Sequence, residues 1–236
     1  MSTYFIILAA GLGSRLRSSV PKPLTVLSDG RTILDQQLAN ISSAFGETAL
    51  ERTIVVVGHR RDELTGALPP RVSTVTNSSY ESTNTAKSLG LGLSVVPPGG
   101  SALWLNGDVV FDAEILRGAL PLIEAKQSFA VVNRDLTAEE EIKYRLDSSG
   151  KISEISKSVD GGLGEAVGIN HVSSASLIQF SLALEAADPS DYFEAAMEAT
   201  IREGMEWFPH YAGDSYAVEI DFPEDLERAN SAQSRL

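Results

Sequence analysis

An α/β fold of three layers, with a mixed, mainly parallel sheet between helices, is what the sequence predicts. Three observations carry that expectation. Four short runs, Phe5 to Ala10, Ile54 to Val57, Ala102 to Leu105 and Phe129 to Val132, are apolar at every position, and each is followed by a polar residue or glycine. Runs without alternation suit strands covered on both faces. Helical patterns lie between them, and strands that alternate with helices pair in parallel. A third region, residues 143–170, holds short strand candidates close together in sequence, which suits a hairpin and a return strand added to the parallel half.

Taken in order, the first strand runs directly into Gly11-Leu12-Gly13, and a helix follows in which Leu34, Leu38 and Ile41 share one face. The second strand precedes His59, Arg60 and Arg61, which read as a solvated loop. Helical stripes occupy Ala86 to Val95 and Ala113 to Ile123, on either side of the third strand. The candidates Lys143 to Leu146, Ile152 to Ile155 and Ala166 to Asn170 are separated by Ser148-Ser149-Gly150 and Asp160-Gly161-Gly162, both turn compositions. A last clear helix, Asp191 to Arg202, buries Phe193, Met197 and Ile201 at i, i+4 and i+8.

At 236 residues and 43% hydrophobic, the chain can bury a full core as one domain spanning residues 1–236. No internal repeat, low-complexity segment or Pro/Ser-rich linker argues for a boundary. No stretch approaches the roughly 20 apolar residues that span a bilayer, so a cytoplasmic protein is expected. A net charge of -13 argues against nucleic acid or an anionic membrane as partner, which leaves small molecules and, as an open alternative, a second copy in a homodimer. With no cysteine, and with His59, His171 and His210 scattered, any metal must sit on oxygen ligands, which favours magnesium, manganese or calcium.

Two segments carry candidate chemistry. Leu8-Ala9-Ala10-Gly11-Leu12-Gly13-Ser14-Arg15-Leu16 leads to Pro21-Lys22-Pro23-Leu24, with no acidic residue between Met1 and Val26. Glycines at the carboxyl end of a parallel strand let backbone N-H groups approach a triphosphate, although a tight turn explains them as well. Arg15 can fork two phosphate oxygens, and Lys22, held between two prolines, offers a point charge. The third glycine of a dinucleotide fingerprint and the Gly-Lys-Ser/Thr of a Walker loop are both missing. The second segment is acidic. Asp108 follows Asn106-Gly107 at the end of a buried strand, and in Val218-Glu219-Ile220-Asp221 alternation places Glu219 and Asp221 on one face. A turn aspartate and a helix cap at Pro223-Glu224 remain the plain alternatives for these two aspartates.

Leu8 to Leu16 together with Pro21 to Leu24 resembles the signature of the sugar-phosphate and phosphocholine nucleotidyltransferase superfamily, and the resemblance spans Ile6 to Asn230. It implies a Rossmann-like nucleotidyltransferase fold and a nucleotidyl transfer from a nucleoside triphosphate to a phosphorylated acceptor. Under it, Leu8, Ala9, Ala10, Gly11, Leu12, Gly13 and Ser14 hold the triphosphate, Arg15 binds the departing pyrophosphate, and Lys22 steadies the transition state. Asp108 and Asp221 would coordinate Mg2+. The short stretch between Arg15 and Pro21 resembles the branch with small acceptors, in which CTP is the nucleotide.

The same resemblance sets Asn84 and Ser88 beside the nucleotide, although helix capping explains Asn84 equally well. It sets Asp191 and Tyr192 where the phosphocholine branch receives a quaternary ammonium, and Lys157 near the acceptor phosphate. Asp191 with Glu194 also reads as a capping box. Lys87 and Glu219 complete the acceptor candidates. A choline cage needs several aromatic faces, and neither Trp104 nor Trp207 is placed like the tryptophan that branch uses, which favours a primary ammonium such as 2-aminoethylphosphonate or phosphoethanolamine. A sugar-1-phosphate nucleotidyltransferase and a non-catalytic nucleotide-binding homologue remain the rival readings.

Overall fold

The computed structural model describes residues 2–13, 20–134 and 141–233. Strand β1 (Thr3–Ala9) lies between two parallel neighbours, β2 (Thr53–Val57) and β4 (Ser101–Asn106), and β3 (Ser73–Thr76) extends the sheet beyond β2. On the other side of β4, β9 (Ala166–Val172) runs antiparallel to both β4 and β6 (Phe129–Val132). β10 (Phe208–Tyr211) returns parallel to β6, which gives a seven-stranded sheet in the order β10-β6-β9-β4-β1-β2-β3. The expected mixed, mainly parallel sheet is therefore present, and β9 is the return strand.

Alternate residues of the central strands point to opposite faces, and helices bury both. Ile6, Val56 and Trp104 face α3 (Thr85–Leu93), α5 (Leu177–Ala186) and α6 (Phe193–Arg202). Phe5, Val55 and Leu103 face α1 (Ile33–Phe45), α2 (Arg61–Ala67) and α4 (Ala113–Glu124). Trp104 and Trp207 are fully buried, and Trp104 meets Phe180, Phe193 and Trp207 at ring separations of 5.4, 5.5 and 6.1 Å. Such aromatic packing anchors α5 and α6 to the sheet and leaves neither tryptophan free for a ligand. The hairpin β7 (Lys143–Leu146) and β8 (Ile152–Ser156) pairs antiparallel, and the Asp147 carboxylate accepts from the N-H groups of Ser149 and Lys151 to close its turn.

Three expectations are revised. Helix α6 begins at Phe193 rather than Asp191. The Asp191 carboxylate accepts from the Asp188 N-H at 2.9 Å, closing a turn around Pro189, so no capping box forms and Glu194 turns inward. Arg60, read as loop, instead starts α2 with a left-handed backbone (φ 51°) and pairs with Glu63. Glu219 ends β11 (Ala217–Glu219), which pairs with β5 (Val109–Phe111) in a separate ribbon, so Asp221 lies beyond the strand, just before α7 (Pro223–Gln233). Among the described residues, no helix is long and apolar enough to cross a membrane.

Candidate active site

A cleft of about 1100 Å³ opens where β1 and β4 end, the place where parallel strands of an open α/β sheet present their loops. Lys22 enters it from a single 3-10 turn, Lys22–Leu24, fixed by Pro21 before it and Pro23 within it. Proline sets φ on both sides, so the lysine stem leaves the backbone in one direction. The ammonium then lies 2.6 Å from Asp108 Oδ2 and 2.7 Å from Asp221 Oδ1. Burial alone would favour neutral lysine, but the charges and hydrogen bonds of the two aspartates outweigh it and hold the Lys22 pKa above its ordinary value.

The two aspartates meet because their loops are tied together. The Gly107 N-H donates to the Leu8 carbonyl at 2.9 Å, and a side chain there would put its Cβ 2.5 Å from that same oxygen. Only glycine lets the β4 loop fold this closely over the end of β1. Gln37 on α1 donates to the carbonyls of Asn106 and Val109, bracing the loop that carries Asp108. The Ile220 N-H donates to the Asp108 carbonyl at 3.0 Å, which brings Asp221 alongside. The Asp225 carboxylate accepts from the N-H groups of Asp221 and Phe222 and fixes the remaining turn.

Glu219 sits next to this pair and accepts from Asn106 Nδ2 at 2.9 Å. Gly168, at φ +69°, makes room for that contact, since a Cβ there would come within 2.6 Å of the Glu219 carboxylate. Burial and the nearby Asp108 charge push the Glu219 pKa well above the carboxylate range, against the pull of Asn106.

Glu141, Glu165, Glu194, Lys157 and Tyr192 also line the cleft. The Lys157 ammonium stands 4.8 Å from the centre of the Tyr192 ring, a cation-π contact. Glu165 accepts from Asn133 Nδ2. Glu194 is buried with no hydrogen-bond partner for Oε2, and burial pushes its pKa up to about 7 although its own backbone N-H and Lys157 pull the other way. Nothing in the sequence marked Glu194 as more than a cap, because its inward turn depends on where α6 starts.

The remaining candidates separate clearly. Leu8, Ala9, Gly11 and Gly13 line the cleft; the Ala10 carbonyl accepts from the His59 N-H, and Leu12 is exposed. Ser14 and Arg15 lie outside the described residues. Asn84 caps α3 through the Thr85 N-H and donates to the Ser190 carbonyl, while Ser88 is buried and accepts from Asn77. Lys87 is turned away from the cleft lining, and its ammonium donates to the carbonyls of Leu184, Glu185 and Ala187 at the end of α5. A cation on the unpaired carbonyls of a helix end is stabilising. Replacing Lys87 with alanine should therefore lower unfolding free energy by about 1 kcal/mol in urea titration while leaving the acceptor KM unchanged. A raised KM with unchanged stability would return Lys87 to the acceptor site.

Among the described residues, no group of three or more His, Cys, Asp or Glu side chains gathers as a metal cage. Asp108 and Asp221 nevertheless aim at one point, where the Lys22 ammonium stands in for a cation. Two hard oxygen donors suit Mg2+, which takes one or two carboxylates and fills its shell with water and substrate phosphate oxygens. The residues therefore fit such an ion.

Comparison with known proteins bears on the same geometry. Residues 5–173 match the family described as MobA-like NTP transferase domain. The bifunctional protein GlmU of Psychrobacter sp. is 27% identical over 241 residues, covering 97% of this chain and 49% of that protein. The chain thus spans about half the length, or less, of the curated relatives it matches. The CTP:phosphocholine cytidylyltransferase LicC of Streptococcus pneumoniae superposes with a TM-score of 0.81 at 19% identity, over 99% of this chain and 100% of that one. The inositol-1-phosphate CTP transferase of T. maritima gives 0.79 at 21% identity, over 98% and 96%. At these identities the two solved structures show a shared fold.

Proposed function

Because the chain belongs to the MobA-like NTP transferase family and is a nucleotidyltransferase, we propose that it transfers CMP from CTP to a small phosphonate or phosphorylated amino alcohol, releasing pyrophosphate. One observation carries this reading: the Lys22 ammonium held between Asp108 and Asp221 beside the glycine turn that ends β1. An acceptor oxygen that is already anionic near neutral pH attacks the α-phosphorus in line. The bond to the β-phosphate oxygen breaks, and pyrophosphate leaves with both electrons. No protein base is needed, so the chain's work is positioning and charge compensation.

Lys22 meets the charge that builds on the α-phosphate oxygens during attack. The backbone from Leu8 to Gly13 approaches the phosphates without side chains at Gly11 and Gly13. Asp108 and Asp221 would hold Mg2+, which when bound offsets the repulsion between nucleotide and acceptor anions. Lys157, which lines the same cleft, is the described cation left to meet the acceptor's phosphate or phosphonate, since Arg228 pairs with Asp225.

Support for CTP and a small acceptor comes from fold likeness over nearly the full chain to two transferases whose names specify CTP, with phosphocholine and inositol-1-phosphate. A sugar-1-phosphate acceptor is the second reading, favoured by fold likeness to a putative glucose-1-phosphate thymidylyltransferase from Bacillus anthracis (TM-score 0.80, 16% identity). Pyrophosphate release measured with CTP, UTP, GTP, ATP and dTTP against 2-aminoethylphosphonate, phosphoethanolamine, phosphocholine and hexose-1-phosphates separates them. CTP with an amino acceptor is the expected best pair. Release only with a hexose-1-phosphate would overturn the proposal, and nucleotide binding without any acceptor-dependent release would point to a non-catalytic homologue.

A further inference from the structure

Among the described residues that line it, the cleft holds more carboxyl groups than cations: Lys22, Lys157 and Arg228 face seven carboxyl groups. Asp108 and Asp221 are accounted for by Lys22, and Asp225 by Arg228. Glu141, Glu194 and Glu219 line the same cleft, with Lys157 as the described cation whose charge bears on Glu141 and Glu194. Burial raises the pKa of both Glu194 and Glu219, and a cation brought by the acceptor would favour the ionised form of either.

The partners of these carboxylates differ. Asn106 serves Glu219 and Asn133 serves Glu165. Glu194 is only 6% exposed, lines the cleft and has no partner for Oε2. A buried acceptor atom left unpaired is costly, and a donor in the bound state recovers that cost. The Tyr192 ring also lines the cleft, and Lys157 already lies over it at 4.8 Å. With that ring taken, a buried carboxylate is the better receiver of an incoming cation.

We propose that Glu194 is the residue that selects the acceptor's amine: its carboxylate receives a primary ammonium, while Lys157 meets the phosphate or phosphonate at the other end of the same small molecule. This rests on the amino-acceptor reading above and deepens it. A primary ammonium has three N-H donors to offer Oε2, whereas a trimethylammonium has none and would leave that oxygen unpaired. The inference therefore separates a primary amine from a quaternary one, as well as from an acceptor with no amine.

The test compares the chain and its Glu194→Gln variant with 2-aminoethylphosphonate, ethylphosphonate and phosphocholine, in CTP and Mg2+. A charge-assisted hydrogen bond corresponds to about 10- to 100-fold in affinity. Glu194→Gln should raise KM for 2-aminoethylphosphonate by about 30-fold with a far smaller change in kcat, and should shift KM for ethylphosphonate by less than about threefold. Equal loss with both phosphonates, or a lower KM for phosphocholine than for the primary amine in the unmodified chain, overturns the assignment. Glu194→Asp, which keeps the charge on a shorter stem, should show the same split in milder form and serves if the glutamine variant does not fold. Calorimetric binding of the two phosphonates gives the comparison without turnover. A chain that binds the amine about 30-fold more tightly than ethylphosphonate yet releases no pyrophosphate defeats the transfer reading and keeps Glu194; one that transfers CMP while binding both equally does the reverse.

Discussion

Replacing Lys22 with alanine should lower turnover by about two to three orders of magnitude, the loss that follows removal of one preorganised donor to a developing oxyanion. The Lys22 side chain is 13% exposed and its ammonium is held by both carboxylates, so it stays charged and at the site until Mg2+ takes its place beside them. Pyrophosphate release at saturating CTP and acceptor measures the effect. The same substitution has a second consequence that turnover does not report. Without the ammonium, Asp108 and Asp221 face one another across an empty position, and their repulsion should lower stability in EDTA by about 1 to 2 kcal/mol, reduced from the buried-pair figure because both carboxylates keep a quarter to a third of their surface. Adding Mg2+ should restore most of it, since a divalent ion can take the vacated place. A Lys22→Ala enzyme with near-normal turnover, or one whose stability is indifferent to Mg2+, contradicts the arrangement.

How much of this was legible in the sequence depends on the kind of residue. Strands β1, β2, β4 and β6 announce themselves because burial on both faces removes every polar position from Phe5 to Ala10 and from Phe129 to Val132. Lys22 stood out because two prolines flank it, whereas Asp108 read alone as a turn aspartate and only the resemblance paired it with Asp221, since Leu8, Gln37 and Ile220 from distant chain place its loop. The alternation around Asp221 was legible as a short strand, but not that the strand stops at Glu219 or that it pairs with residues 109–111 in a separate ribbon. Pairing between short strands about a hundred residues apart leaves no local signal.

Helices α2 and α5 were hidden in opposite ways. α2 buries a single side chain, Leu64, so it has no stripe. α5 is apolar nearly all round, with Ile178 and Leu182 exposed on one side while Phe180 and Leu184 are buried on the other, and a uniform helix shows no contrast. Glu194 was misread for a third reason. Asp-x-x-Glu before an apolar run is a capping box when the aspartate is free, and here Asp191 is already committed to the Asp188 turn. Local patterns fail where a neighbouring turn competes for the same side chain.

Asp108→Asn should be the most damaging conservative change, with a loss of about three orders of magnitude in kcat/KM. The substitution keeps shape and one acceptor oxygen, and Lys22 retains Asp221 at 2.7 Å, so the fold has no reason to fail. What it removes is half of the negative charge directed at the shared cation position. Half-saturation by Mg2+ in the CTP-dependent reaction should rise at least about tenfold, and Mn2+ binding followed by its paramagnetic signal should weaken in parallel without any turnover. Asp221→Asn should reproduce both effects, because its Oδ1 addresses the same ammonium. Glu219→Gln offers the contrast: its carboxyl is held by Asn106 and kept toward its neutral form by burial and by Asp108, so the amide should leave the metal requirement in place. Combining Lys22→Ala with Asp108→Asn should cost much less than the sum of the single losses, since groups sharing one charge position act as a unit. Additive losses, or an Asp108→Asn enzyme whose Mg2+ dependence matches that of the unaltered chain, would show that the lysine and the two aspartates work separately.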